Sequence, residues 1–220
     1  MLFRSDAAIE AAFAAVAQVQ AALSVFDPDS DLSRWHALPA GAALDVGPHT
    51  ARVLRAAQAL QEASGGLFDL AQGSGGWRLS GRRLWRTDPA TRLDAGGIAK
   101  GHAVDMAVRA MQRAGCPAGW VNAGGDLRCF GGVELPIALR DEQHGGTRAL
   151  GALRDGALAS SCFAPGSRSR LAGLPAHLTR HVSVVAPHCL WADALTKVVA
   201  ASGDAAHPVL TRLGAQAIVH

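Results

Sequence analysis

Between Leu93 and Gly132 the chain places paired glycines at 96–97, 124–125 and 131–132. Glycine pairs end regular elements, because they admit backbone conformations that other residues rarely take. This punctuation leaves one helix-length stretch in the segment. It predicts a helix from about Ile98 to Ala114, with Val104, Val108 and Met111 inward and Gly115 as the stop. Strand, glycine turn and strand then follow across "GWVNAGGDLRCFGG".

The flanks extend the same mixture. Ile9, Phe13, Val16, Gln20 and Leu23 step by three and four, so a helix starting after Ser5 or Asp6 carries them on one face. "DPDSDLSRWH" reads as a polar turn. A second helix starts at Pro48, buries Val53, Ala57 and Leu60, and stops at "SGG", residues 64–66. "WRLSGRRLWR" predicts a hairpin, and "LPIALRD", "GALAS", "HVSVVAP" and "AQAIVH" predict strands. "LWADALTKVVAASG" predicts a helix stopped at Gly203. Helices and antiparallel-looking strands alternate without a βαβ rhythm, so the fold class is α+β. The 220 residues suffice for a single domain, or for two closely packed subdomains.

A net charge of +3, spread along the chain, suits a small anionic ligand and gives no concentrated nucleic-acid footprint. The hairpin holds Arg78, Arg82, Arg83 and Arg86 beside Trp77 and Trp85. A stacking surface for nucleic acid and a solvated arginine face both fit that pattern, and the solvated face is the commoner use; no nucleic-acid partner is expected. Cys116, Cys129, Cys162 and Cys189 lack metal spacing and are expected as reduced thiols. The apolar N-terminal stretch is broken by Arg4, Asp6 and Glu10. It is therefore not expected to be a signal peptide or a membrane span, and the expected location is cytoplasmic.

Lys100 and Lys197 are the only lysines among twenty-one basic residues. Lys100 lies in "LDAGGIAKGHAVD", where strand-like residues meet glycines and a helix start. Free N–H groups at such a start favour an anion, and a lysine one turn in adds a point charge. The run is neither a Walker A motif nor G-x-G-x-x-G. Lys197 follows Asp193 by four residues on one helix face. That pair is either an exposed ion pair or a carboxylate for Mg²⁺ in a mostly buried helix.

In order, "LDAGGIAKGHAVD", "VNAGGDLRCFG" and "VSVVAPHCLWADALTKVV" resemble the core motifs of the ApbE-type flavin transferases (FAD:protein FMN transferases). "LSVFDPDSDLSRWH" and "SGGLFDLAQG" are similar to that family's first loop and its Gly-x-Phe-Asp segment. The resemblance runs from about Leu23 to Ala200. It implies that FAD is the substrate, that FMN passes to a threonine of an acceptor flavoprotein, and that AMP leaves with Mg²⁺ at the pyrophosphate. It carries flavin-nucleotide contacts onto His36, Gly96, Gly97, Lys100, Asp105, Gly124 and Gly125. It carries the metal onto Asp193 and the carbonyl of Ala103. Family members also work in the periplasm.

Departures accompany the resemblance, and His36 stands where the family's first loop commonly ends in asparagine. Lys197 stands where the family's metal-binding helix has threonine, and an ammonium cannot ligate Mg²⁺. It therefore assists the metal, replaces it, or marks a chain without nucleotide chemistry. His102 stands where the family has tyrosine. "CFAPGSRSRLAGLPAHLTRH" lacks the family's His-x-x-Asp-Pro segment, leaving Lys197, His177 and His181 as the candidate catalytic side chains, with His102 a further candidate base. The alternative to an FMN transferase is a flavin-binding protein of the same fold without catalysis.

Overall fold

The structure, a computed structural model, describes residues 6–140, 145–163 and 181–220. Helix α1 (Asp6–Leu23) begins where its periodicity predicts, but buries a different face. Ala8, Val19 and Leu23 are buried, whereas Ile9 is 42% and Phe13 72% exposed. The reason is its partner: α1 lies along α4 (Ala99–Arg113), and small alanines permit the close approach. By length and composition alone α1 would suffice to cross a membrane, but it packs on α2, α3 and α4.

Residues 31–36, expected as a turn, form the short helix α2 (Asp31–His36). Ser30 caps it, its Oγ accepting the Ser33 N–H at 3.0 Å. The helix earns its place through burial of Leu32 and Trp35. Helix α3 (Pro48–Ala63) starts with its proline and buries Val53, Ala57 and Leu60 as predicted.

Strands β1 (Ala43–Asp45), β3 (Arg83–Arg86) and β2 (Trp77–Ser80) form a three-stranded antiparallel sheet in that order. Three of its arginines, Arg78, Arg82 and Arg83, form the exposed face that the sequence predicts, and Arg86 is buried. Arg78 stacks 4.3 Å above Trp85, and Arg82 Nε donates to the Val46 carbonyl at 2.7 Å. Arg83 pairs with Asp45 at 2.7 Å. Buried Arg86 donates to the carbonyls of His36, Leu38 and Pro89.

A five-stranded antiparallel sheet runs β10 (Gln216–Val219), β9 (His181–Ala186), β8 (Ala157–Cys162), β5 (Asp126–Phe130), β4 (Gly119–Ala123). Helix α5 (Cys189–Ser202) packs on it together with α4 and ends at Gly203, whose φ of 72° is a glycine conformation. The ribbon of β6 (Glu134–Arg140) and β7 (Thr147–Arg154) covers a smaller apolar cluster of Leu127, Cys129, Leu153 and Leu158. The sequence signals did not reveal β7 or the five-residue helix α6 (Pro208–Arg212). The main core gathers Trp35, Leu54, Leu84, Ile98 and Leu195 between the helices and the sheets. The mixed, antiparallel architecture is the α+β class that the sequence predicts.

Candidate functional site

Helices α4 and α5 cross at Gly101. A Cβ there would overlap the Cys189 carbonyl and the Asp193 side chain, so only glycine allows the approach. The Gly101 N–H instead donates to Asp193 Oδ2 at 3.1 Å. This contact fixes the first turn of α4 against the middle of α5 and brings both lysines to one place.

Asp193 is fully buried. Its Oδ1 meets Lys197 Nζ at 2.5 Å. The same ammonium donates to the Asp193 carbonyl at 3.0 Å and to Ser161 Oγ at 3.4 Å, which accounts for its three protons. Ser161 Oγ also lies 2.9 Å from Thr196 Oγ1. The stem of Lys197 runs past Gly97, where a Cβ would lie 3.2 Å from its Cε.

Lys100 projects from α4 towards Asp126, the first residue of β5, with Nζ 2.8 Å from Oδ1. The contact is an ion pair off the hydrogen-bond direction, and neither Asp126 oxygen has a hydrogen-bond partner among the described residues. Burial, then the Asp193 charge, pushes the Asp126 carboxyl up to about 7 against the pull of Lys100 and Lys197. Burial draws the Lys100 ammonium down, but Asp126 and Asp193 outweigh it, and its pKa is raised. The Gly124–Gly125 turn ahead of Asp126 has φ of 63° and 97°, and Asn122 Oδ1 accepts the Gly125 N–H at 3.0 Å.

A cavity of about 350 Å³ opens beside this cluster. Val16, Val19 and Leu23 of α1, with Val25 and Phe26, form its apolar wall. Asp94, Gly96, Lys100, Ala103 and Ala123 line the rest. Asp94 Oδ1 accepts the Gly96 N–H at 2.8 Å and shapes the glycine entry. Lys100 belongs to both the cavity wall and the charge cluster.

The other sequence-derived candidates lie elsewhere. Asp105 is a structural anchor: its oxygens accept the N–H groups of Cys189 and Leu190 at 3.0 Å and the Arg128 guanidinium at 2.6 Å. It thereby caps α5 and sets the height of Asp193. His36 Nε2 accepts the Leu93 N–H at 2.9 Å, holding the approach to the glycine entry. Burial, with Arg92 and Arg86, holds that imidazole low and neutral. His102 is buried against His49, 3.1 Å away, and burial lowers it to about 4. His181 faces Cys162 Sγ at 3.7 Å. Its neighbours in the β8–β9 ladder alternate faces, and Ser161 turns towards α5, so His181 points away from Lys197. His177 lies outside the described residues.

A divalent cation does not fit Asp193 as the side chains stand. Hard cations take several free oxygens. Both Asp193 oxygens already accept donors, and Ala103 sits inside α4, where its carbonyl belongs to the helical ladder. Among the described residues, no group of three or more His, Cys, Asp or Glu is placed to hold a metal. Asp126 is the member of this cluster that sequence reasoning did not single out. Its one signal is position, directly after a glycine turn.

Comparison with known proteins bears on the fold and the family. The flavinyl transferase ApbE of Pseudomonas stutzeri, in its apo form, superposes with a TM-score of 0.80 at 22% identity, over 98% of this chain and 82% of that one. The flavin transferase ApbE from Vibrio cholerae gives 0.82 at 20% identity, over 99% and 85%. The ApbE protein of Thermotoga maritima gives 0.80 at 20%, over 99% and 87%. These likenesses establish the fold. No match is found among curated proteins. The profile of the ApbE family matches residues 2–81 and 74–219, nearly the whole sequence, and the chain belongs to that family.

Proposed function

We propose that this chain is a flavin transferase that binds FAD, moves FMN onto a threonine of an acceptor flavoprotein and releases AMP. The observation that carries the reading is the cavity. One wall is apolar and suits a flat ring system, and the other joins Lys100 to the glycine entry of α4, which suits an anionic tail. Family membership and the solved flavin transferases of the same fold support it.

In the proposed reaction the threonine Oγ bonds to the flavin-side phosphorus. The bridging P–O bond breaks, AMP leaves with the bridging oxygen, and the hydroxyl proton is released. Such transfer depends on positioning and charge neutralisation. Lys100 is the cation that the cavity wall offers to the phosphates. Asp105, Gly101 and Asp193 hold the helices that position it. No step is routed through Mg²⁺, because Asp193 has no oxygen left to offer.

The test is FAD titration by fluorescence, followed by chromatography for AMP and mass spectrometry of a threonine-containing acceptor peptide. FAD binding, AMP release and an FMN-sized mass gain on threonine are expected. Tight FAD binding with neither AMP nor labelled peptide would leave a flavin-binding protein without catalysis. Absence of binding would remove the flavin reading.

A further inference from the structure

We infer that this site carries its own cation: Lys197 occupies the place on Asp193 that a divalent metal would need, and nucleotide binding here is independent of divalent ions. The inference rests on the flavin-nucleotide reading above for its ligand, but not for its geometry.

The geometry starts with saturation. Lys197 Nζ takes Asp193 Oδ1 at 2.5 Å and the Asp193 carbonyl at 3.0 Å, while the Gly101 N–H takes Oδ2 at 3.1 Å. Every oxygen that Asp193 could give to a metal already accepts a donor. The arrangement is also locked. The lysine stem runs beside Gly97, where an added Cβ would lie 3.2 Å from Cε and in contact with Cδ and Cγ. Only 12% of its side chain is exposed, and Ser161 takes the remaining proton of the ammonium. A metal ion entering on Asp193 would have to break these bonds and then lie beside the displaced positive charge.

Charge balance points the same way. Asp193 is matched by Lys197, and Asp126 by Lys100. At most two negative charges therefore face two ammonium groups, which leaves no excess negative charge to attract a dication. The pairs differ in reach. Lys197 is enclosed and neutralises the interior. Lys100, with 41% of its side chain exposed, lines the cavity and is the cation available to a pyrophosphate. A lysine suits the enclosed position because its compact ammonium fits between Asp193 and Ser161, whereas a planar guanidinium is wider. The chain's only two lysines therefore serve one charge cluster.

The experiment has three arms. FAD affinity is measured by fluorescence in chelator and in excess Mg²⁺, and is expected to agree within about twofold. Mn²⁺ is titrated against the wild type, Asp193→Asn and Lys197→Met, and followed by electron paramagnetic resonance. The expected result is no Asp193-dependent Mn²⁺ uptake in the wild type, and uptake of Mn²⁺ by Lys197→Met that is abolished when Asp193→Asn is added. Thermal melts show that the variants are folded. Wild-type Mn²⁺ uptake lost in Asp193→Asn overturns the inference, as does FAD binding that tightens about tenfold with Mg²⁺. A folded Lys197→Met that takes up no Mn²⁺ overturns the assignment of Lys197 to a cation position. Should Lys197→Met fail to fold, the wild-type and Asp193→Asn arms still decide. Failure to bind FAD under every condition removes the flavin reading and leaves the Mn²⁺ result standing.

Discussion

Burial favours the protonated form of Asp126 and the neutral form of His102, and the two bear on acid stability with opposite signs. The Asp126 carboxyl rises from 3.8 to about 7, so between those values the folded chain holds a proton that the unfolded chain has lost. Its contribution to stability falls as pH rises through that window. His102 drops from 6.5 to about 4, so there the unfolded chain holds the extra proton, and stability is lost as pH falls. Melting curves across pH separate them. The Tm of Asp126→Asn minus that of the wild type should climb from pH 4 to 7. The Tm of His102→Gln minus that of the wild type should instead climb as pH falls from 6.5 to 4. A flat difference for Asp126→Asn would mean that the carboxylate stays solvated. Neither role could be read in the sequence. An aspartate after a glycine turn looks like a surface residue, but α4 and α5 both pack on β5, and α5, far along the chain, supplies the Asp193 charge.

At the scale of elements, the crossing of α4 and α5 governs the site. Gly101→Ala would push a methyl into the Cys189 carbonyl and the Asp193 side chain. Forced separation of a well-packed pair costs about 1–3 kcal/mol. The urea midpoint should therefore fall, and the Asp193–Gly101 bond should open. An unchanged midpoint would show that the helices can part freely. The glycine was visible in the sequence, but its use was not: "AKGHAVD" reads as a ligand-facing run, while Gly101 and Asp105 both turn to α5. The elements themselves were legible where periodicity was long or stops were strong, as in α3, α4, α5 and the Gly124–Gly125 hairpin. They were illegible where a partner decides. Alanines rather than Ile9 and Phe13 form the contact face of α1, because α4 is close. Six residues make a helix at α2 because Trp35 has a core to enter.

Across the whole molecule, the cavity is assembled from pieces that no local pattern joins: the end of α1 with Val25 and Phe26, the glycine entry of α4, and Ala123 at the end of β4. The sequence marked the entry and the hairpin but gave no sign that α1 supplies the apolar wall. This division of labour predicts that ring and tail can be weakened separately. Lys100→Met keeps most of the stem and removes the charge, while Asp126 can take up a proton in its place. FAD affinity should fall about tenfold, or about 1.4 kcal/mol, and weaken less steeply with added salt than in the wild type. Riboflavin, which has the ring but no phosphate, should bind the variant and the wild type alike. Val19→Asp, in the apolar wall, should weaken both ligands. Equal loss of riboflavin and FAD in Lys100→Met would place the ring, not the phosphates, at Lys100, and would reverse the orientation proposed for the nucleotide.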